Sequence, residues 1–332
     1  MLRDCVKRLS HPLGLDHLFR DAYVKSGLIA ERTYFVFAGR PKPETSILLA
    51  GSGRSGTTWL SNLLTAMPAT QPIFEPMWPV NNPAIRRITG WDGSNPRVRG
   101  FYLAPDKEHP EWDPILEDIL SGRCRNYWTD KYRHTWAPKR FLIKEIRANM
   151  MMGYIYRKFQ PRIIYLVRHP CSVIMSRLTL PDPWVASVQD LLTQEDLVED
   201  HLRPWLKDIE KEKGVLGAHA VWWAVENRIA QGQLAAIPHI RVFFEDIAAS
   251  PDLIKTQIYA HFDYRPPLDR FERTFLSPSN QSYRQYRGVS ERLSLWKEFL
   301  SRDDQRAILT WAKRFGVDWY TEDIMPSRTS HS

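Results

Sequence analysis

The chain has 332 residues, 43% of them hydrophobic and 25% charged, which gives it the means for a sizeable core and excludes an intrinsically disordered chain. A net charge of +8 favours anionic ligands, but the arginines are dispersed and no helix-turn-helix, zinc-finger or RNP signature is present, so no nucleic-acid partner is expected. Cys5, Cys124 and Cys171 lack C-x-x-C spacing, which argues against a disulfide framework or a zinc site, and no run approaches about 18 uninterrupted apolar residues, so no membrane span is expected.

In chain order, residues 1–32 read as a helical lead-in without the apolar run of a signal peptide. YFVFAG (34–39) and SILLAG (46–51) read as strands joined by the turn RPKPE (40–44). A helix is expected over 57–67, then a short strand ending near Glu75. Residues 77–140, rich in Pro, Trp and Arg, read as an insertion over the sheet edge where an acceptor would sit; a helix over 112–121 lies within it. RFLIKEI (140–146), RIIYLVR (162–168) and IRVFFED (240–246) are short apolar runs suited to buried parallel strands. Helices over 148–159, 170–180, 187–212 and 217–236 separate them, and the tail 326–332 is expected to be disordered. Strands alternating with helices predict one α/β domain with a parallel sheet flanked by helices.

GSGRSGTT (51–58) follows a predicted strand and opens a predicted helix. It has the G-x-x-x-x-G frame of a phosphate-binding loop, but Thr57 stands where the lysine that reaches the β/γ-phosphates belongs. Gly51, Gly53 and Gly56 permit close backbone approach, the amides of 55–58 open a helix N-terminus, and Arg54 supplies a positive fork. These features suit a single terminal 5′-phosphate group; a Gly/Ser turn capping a helix is the alternative. Downstream, IIYLVRHPCSVIMSRL (163–178) places Arg168 at a strand end and Ser172 and Ser176 on one helix face. Arg168 and Ser176 could converge on a second anion, or be an arginine cap and a surface serine.

Together, RSGTTWL and LVRHPCSVIMSR resemble the PAPS-dependent sulfotransferases, and the likeness extends over most of the chain. PIFEPMW (72–78) resembles the F-E-P-x-W segment of carbohydrate sulfotransferases. Residues 140–170, RVFFEDIAASPDLIKTQIYAHF (241–262) and RGVSERLSLWKEFLS (287–301) are similar to later segments of that branch. His169 departs from the aspartate common before the proline, which alters the local charge. The resemblance implies a P-loop NTPase-like sulfotransferase fold. It implies PAPS as co-substrate and PAP as product, with no metal required, because the donor carries its sulfuryl group on one 5′-phosphate. It further implies that Arg54, Ser55, Gly56, Thr57 and Thr58 hold the 5′-phosphosulfate, Arg168 and Ser176 the 3′-phosphate, and Trp59 the adenine, with Arg287 and Gly288 in a C-terminal nucleotide loop.

Sulfuryl transfer is mainly positioning and electrostatic stabilisation, with a base to take the acceptor's proton. The glutamate-using branch places its base at Glu75; Glu145 and His169 compete for the role. Lys144 is the candidate to neutralise the sulfuryl oxygens, and Arg147 to steady the same oxygens or an acidic acceptor. The F-E-P-x-W likeness points to a sugar hydroxyl, with a lipid or secondary-metabolite hydroxyl as the alternative. A P-loop kinase or NTPase, and a non-catalytic nucleotide-binding module, are further alternatives. The lack of an anchor favours a cytoplasmic, bacterial enzyme over a Golgi-resident one. The oligomeric state is not legible.

Overall fold

The computed structural model describes residues 16–91, 100–265, 267, 272 and 289–327. The first element, α1 (Asp16–Ala38), runs through the segment expected to be a strand at 34–39. Aromatic and β-branched residues there suggest a strand, but tertiary contacts decide otherwise. Glu31 is buried against Arg125 at 3.0 Å and Arg133 at 2.6 Å. One turn on, Phe35 packs edge-on to Phe141. Both contacts fall on one side of the helix about 6 Å apart along its axis, whereas four residues of strand would carry them about 13 Å apart.

The sheet follows. Strand β1 (Ile47–Ala50) leads through the glycine loop into α2 (Thr57–Leu64), and β2 (Thr70–Phe74) returns to the sheet. Residues up to 139 carry α3 (Pro83–Ile88) and α4 (Asp113–Leu120). Then come β3 (Arg140–Glu145), α5 (Met152–Phe159), β4 (Arg162–Val167) and α6 (Pro170–Leu178). The helix expected over 187–212 is instead a chain of short turns, Gln189–Leu192 to Leu206–Lys211. Pro204 in its middle lacks an N–H and cannot continue a helix. The long helix α7 (Val215–Leu234) precedes β5 (Ile240–Phe243), which stops three residues short of the expected strand end. There Phe244 starts α8 (Phe244–Ala249), with Glu245 and Asp246 in its first turn where the helix dipole favours anions. The last long element, α9 (Arg302–Arg314), opens on a Ser301–Asp304 capping box.

The five strands among the described residues are all parallel, in the order β2-β3-β1-β4-β5. Strands β1 to β4 are buried on both faces, which is why the sequence shows continuous apolar runs there. Ile47, Leu49, Ile164 and Leu166 face α2, whose Trp59, Leu60, Leu63 and Leu64 cover them. The alternate residues Leu48, Ile163, Tyr165 and Val167 face the larger core, where α7 contributes the fully buried Trp222 and Trp223. Among the described residues no helix is long and apolar enough to cross a membrane.

Candidate active site

The sheet register aligns the chemistry-bearing residues. Ala50 at the end of β1 pairs with Glu145 on β3 and Tyr165 on β4, and Phe74 on β2 pairs with Lys144. The glycine loop, Glu75, Lys144, Arg147 and Arg168 therefore all leave from the carboxyl edge of the sheet. The chain places β2 and β3 on one side of β1 and β4 and β5 on the other, so β1 is the point where strand order reverses. Ligands of open α/β sheets bind in the crevice such a reversal leaves.

The loop has the strained backbone expected of an anion cradle. Arg54 has φ +79° and Gly56 φ +100°. A Cβ on Gly56 would stand 2.6 Å from the Phe244 ring, and one on Gly53 2.5 Å from Trp184, so neighbours as well as torsions require glycine. Gly56 caps α2 without any side-chain hydrogen bond, and the first helical bond is Leu60 N–H to Gly56 O at 3.0 Å. The first-turn amides thus face the crevice as donors. Ser55 is fully buried and its Oγ makes no hydrogen bond within the protein; Thr57 and Thr58 are buried beside it. These residues fit an oxyanion.

The second motif meets the first. Arg54 Nε donates to Ser176 Oγ at 3.1 Å, and an Arg168 Nη donates to Arg54 O at 3.1 Å. The Arg168 guanidinium lies over the Phe244 ring, 4.4 Å from its centroid. Arg54, Arg168 and Ser176 thus form one half-buried cluster, with the Arg54 side chain reaching out of the loop to the expected 3′-phosphate pair. The Ser172 hydroxyl, one turn before Ser176, is buried without a hydrogen bond. Trp59 is 4% exposed, its ring edge-on to Phe244 at 5.5 Å, so its faces are packed in the core in this structure. Arg287 and Gly288 lie outside the described residues.

His169 is a structural residue. Its Nδ1 accepts from Cys171 N–H at 3.2 Å, capping α6, and its Nε2 donates to Thr321 O at 3.0 Å. Its ring stacks on Trp296 at 4.2 Å. Burial depresses its pKa to about 3, so the ring is neutral. The imidazole nitrogen thus caps the helix without a charge.

On the other side of β1, Glu75 has φ +42° and its N–H donates to Lys144 O at 2.8 Å. One carboxylate oxygen is hydrogen-bonded to Lys144 Nζ, and the other lies 3.5 Å from an Arg147 Nη. Burial opposes ionisation of Glu75, but the charges of Lys144 and Arg147 outweigh it and hold the carboxyl below the usual carboxylate range. Glu145 is engaged differently. Its oxygens accept from the amides of Met77 at 2.7 Å, Ile146 at 2.8 Å and Arg147 at 3.0 Å. Glu145 therefore ties down the turn after Glu75; burial raises its pKa against the pull of Arg147. Glu75 is the carboxylate of the pair whose partners are all side chains that can turn elsewhere. Beside it, Trp78 and Trp128 meet with centroids 4.1 Å apart.

Two site residues had not been expected from the sequence. Arg177 is fully buried behind the loop; its Nε donates to Gly53 O at 3.1 Å and an Nη lies 3.5 Å from His219 Nδ1. Glu226 on α7 is 2% exposed and accepts from Ser52 Oγ at 2.7 Å. The available signal was the run Glu226–Asn227–Arg228 inside the otherwise apolar AVWWAVENRIA of α7.

The family model described as "Sulfotransferase family" matches residues 46–267. No curated protein matches the chain by sequence. Among solved structures, it is similar to a sulfotransferase domain from the curacin biosynthetic pathway, with 16% identity and a TM-score of 0.45 over 81% of this chain and 97% of that one. It is also similar to the sulfotransferase STF1 of Mycobacterium tuberculosis H37Rv, with 16% identity and a TM-score of 0.38 over 88% of this chain and 84% of that one.

Proposed function

As the chain belongs to the sulfotransferase family, we propose that it transfers the sulfuryl group of PAPS to a carbohydrate hydroxyl, with Glu75 as general base. The observation that carries this reading is the pairing of two sites at one sheet edge: an oxyanion loop joined to Arg54, Arg168 and Ser176 on one side of the crevice, and a Glu75–Lys144–Arg147 cluster on the other. In this reading the loop amides with Ser55, Thr57 and Thr58 hold the 5′-phosphosulfate, and Arg168 and Ser176 hold the 3′-phosphate, bridged by Arg54.

A carboxylate held as low as Glu75 is a weak base. The donor's sulfuryl oxygens offer Lys144 a new partner. When Lys144 turns to them, Glu75 loses its strongest counter-charge while remaining buried, and its proton affinity rises. The acceptor oxygen then attacks sulfur, its proton passes to Glu75, the bond from sulfur to the 5′-phosphate oxygen breaks, and PAP leaves. Lys144 and Arg147 stabilise the charge that develops. The aromatic pair Trp78–Trp128 beside Glu75, and the F-E-P-x-W likeness, support a sugar face as the acceptor surface.

The test is incubation with PAPS and a panel of glycans, glycolipids and aryl alcohols, read by mass spectrometry. Sulfation of glycans by the wild type, lost in Glu75→Gln, is expected. Sulfation confined to lipids or aryl alcohols would remove the carbohydrate assignment, and full activity of Glu75→Gln would remove the base.

A further inference from the structure

The donor loop is held from behind by a buried charge pair. Arg177 on α6 donates to Gly53 O, and Glu226 on α7 accepts from the hydroxyl of the adjacent Ser52. Asn227 adds a hydrogen bond to Ser52 Oγ at 3.4 Å and accepts one from Tyr165 OH on β4 at 2.8 Å. Asn149, before α5, also hydrogen-bonds to Glu226, and the charge of Arg147 after β3 reaches it. Glu226 is thus faced by groups from four parts of the chain: Ser52, the segment carrying Arg147 and Asn149, Tyr165 and Arg177. Its place is electrostatically unexpected, since an ionised carboxylate hydrogen-bonded to the back of an anion cradle repels the anion the cradle holds.

We infer that Glu226 is a positioning residue for the donor loop, and that filling the loop with an oxyanion draws one proton from solvent onto its carboxylate. With Glu226 ionised, its charge and that of Arg177 cancel behind the loop. Protonated, Glu226 keeps its hydrogen bond to Ser52 while the charge of Arg177 adds unopposed to the loop's field. Burial, partly countered by Arg177, brings the Glu226 pKa up to about 7, so the exchange falls in the working pH range. An anion in the loop raises it further, so anion affinity falls as pH rises through that value. This inference rests on the donor-site reading above.

The test is calorimetric titration of PAP into wild type, Glu226→Gln and Ser52→Ala at pH 6.0, 7.0 and 8.5. PAP's own ionisation is common to all three and cancels. Wild type should lose about tenfold more affinity than Glu226→Gln between the extremes, the scale of one partly screened charge at this range. At pH 8.5 Glu226→Gln should bind PAP more tightly than wild type. Ser52→Ala removes a bond that favours the ionised carboxyl, so its loss of affinity should begin at higher pH. Parallel pH profiles for the three proteins would overturn the coupling while leaving the donor site intact. Absence of PAP binding by the wild type at every pH would instead overturn the donor reading, and this inference with it.

Discussion

Glu75 and Lys144 form a buried ion pair across the β2–β3 seam, one residue beyond the register position where Phe74 faces Lys144. The lysine's Nζ also lies 4.6 Å from the centroid of the Phe74 ring, so a single ammonium serves the carboxylate and the aromatic face. Removing Lys144 leaves the buried Glu75 carboxylate with only the longer Arg147 contact. Lys144→Met should therefore destabilise by about 3–5 kcal/mol in urea unfolding. Glu75→Gln combined with Lys144→Met should cost less than the sum of the single changes, because the two act on one interaction. Additive losses would mean that the pair is not coupled.

The same pair sets a pH dependence. Glu75 has a folded pKa below its ordinary value of 4.5. Its contribution to stability is present above that value and is lost as pH falls through the folded pKa. Thermal melts between pH 5 and 2 should accordingly show a shallower acid decline for Glu75→Gln than for wild type. In turnover, the same variant should lower kcat about 10²–10⁴-fold, the usual share of a general base, with PAP affinity little changed. Equal loss of PAP affinity would assign Glu75 to donor binding.

His169 and His219 act in the opposite chemical sense but the same direction of pH. Both are buried, and desolvation depresses each to about 3. The unfolded chain binds protons at these rings below about pH 6.5 while the folded chain does not, so stability falls between pH 6.5 and 3. His169→Asn keeps an oxygen to cap α6 and removes the titration. It should retain donor affinity and flatten the melting-temperature profile in that window. Loss of turnover with the fold and PAP affinity intact would return His169 to the list of candidate bases.

Loop strain supplies another outcome. Gly56 has a left-handed φ and no room for a Cβ against Phe244. Gly56→Ala should destabilise by about 1–3 kcal/mol and reduce PAP affinity, since the amides that face the anion would move. Unchanged melting and unchanged binding would show that the loop tolerates a different path.

Much of this site was legible as spacing, and the remainder was tertiary. The strands at 47–50, 140–145 and 162–167 were readable because parallel strands buried on both faces need unbroken apolar runs. YFVFAG carries the same local signal, yet it closes α1, because Glu31 and Phe35 must reach Arg125, Arg133 and Phe141 together. Short-range pattern cannot report a partner some ninety residues away. The roles of Glu145 and His169 were open for the same reason: a glutamate saturated by amides and one held by side chains look alike in sequence. Arg177 follows Ser176 directly, but its buried position behind Gly53 is set by the course of α6, not by the motif.

We propose that the crevice takes a nucleotide bearing a 3′-phosphate, with Arg168 on that phosphate. The most direct measurement is isothermal titration of PAP and of AMP into wild type and Arg168→Ala, each with and without Mg²⁺. Wild type should bind PAP without Mg²⁺ and far more tightly than AMP, and Arg168→Ala should remove roughly 1.5–3 kcal/mol of that advantage, the range for hydrogen bonds to charged groups. Equal affinity of the wild type for PAP and AMP, or tight binding only of ATP with Mg²⁺, would contradict it.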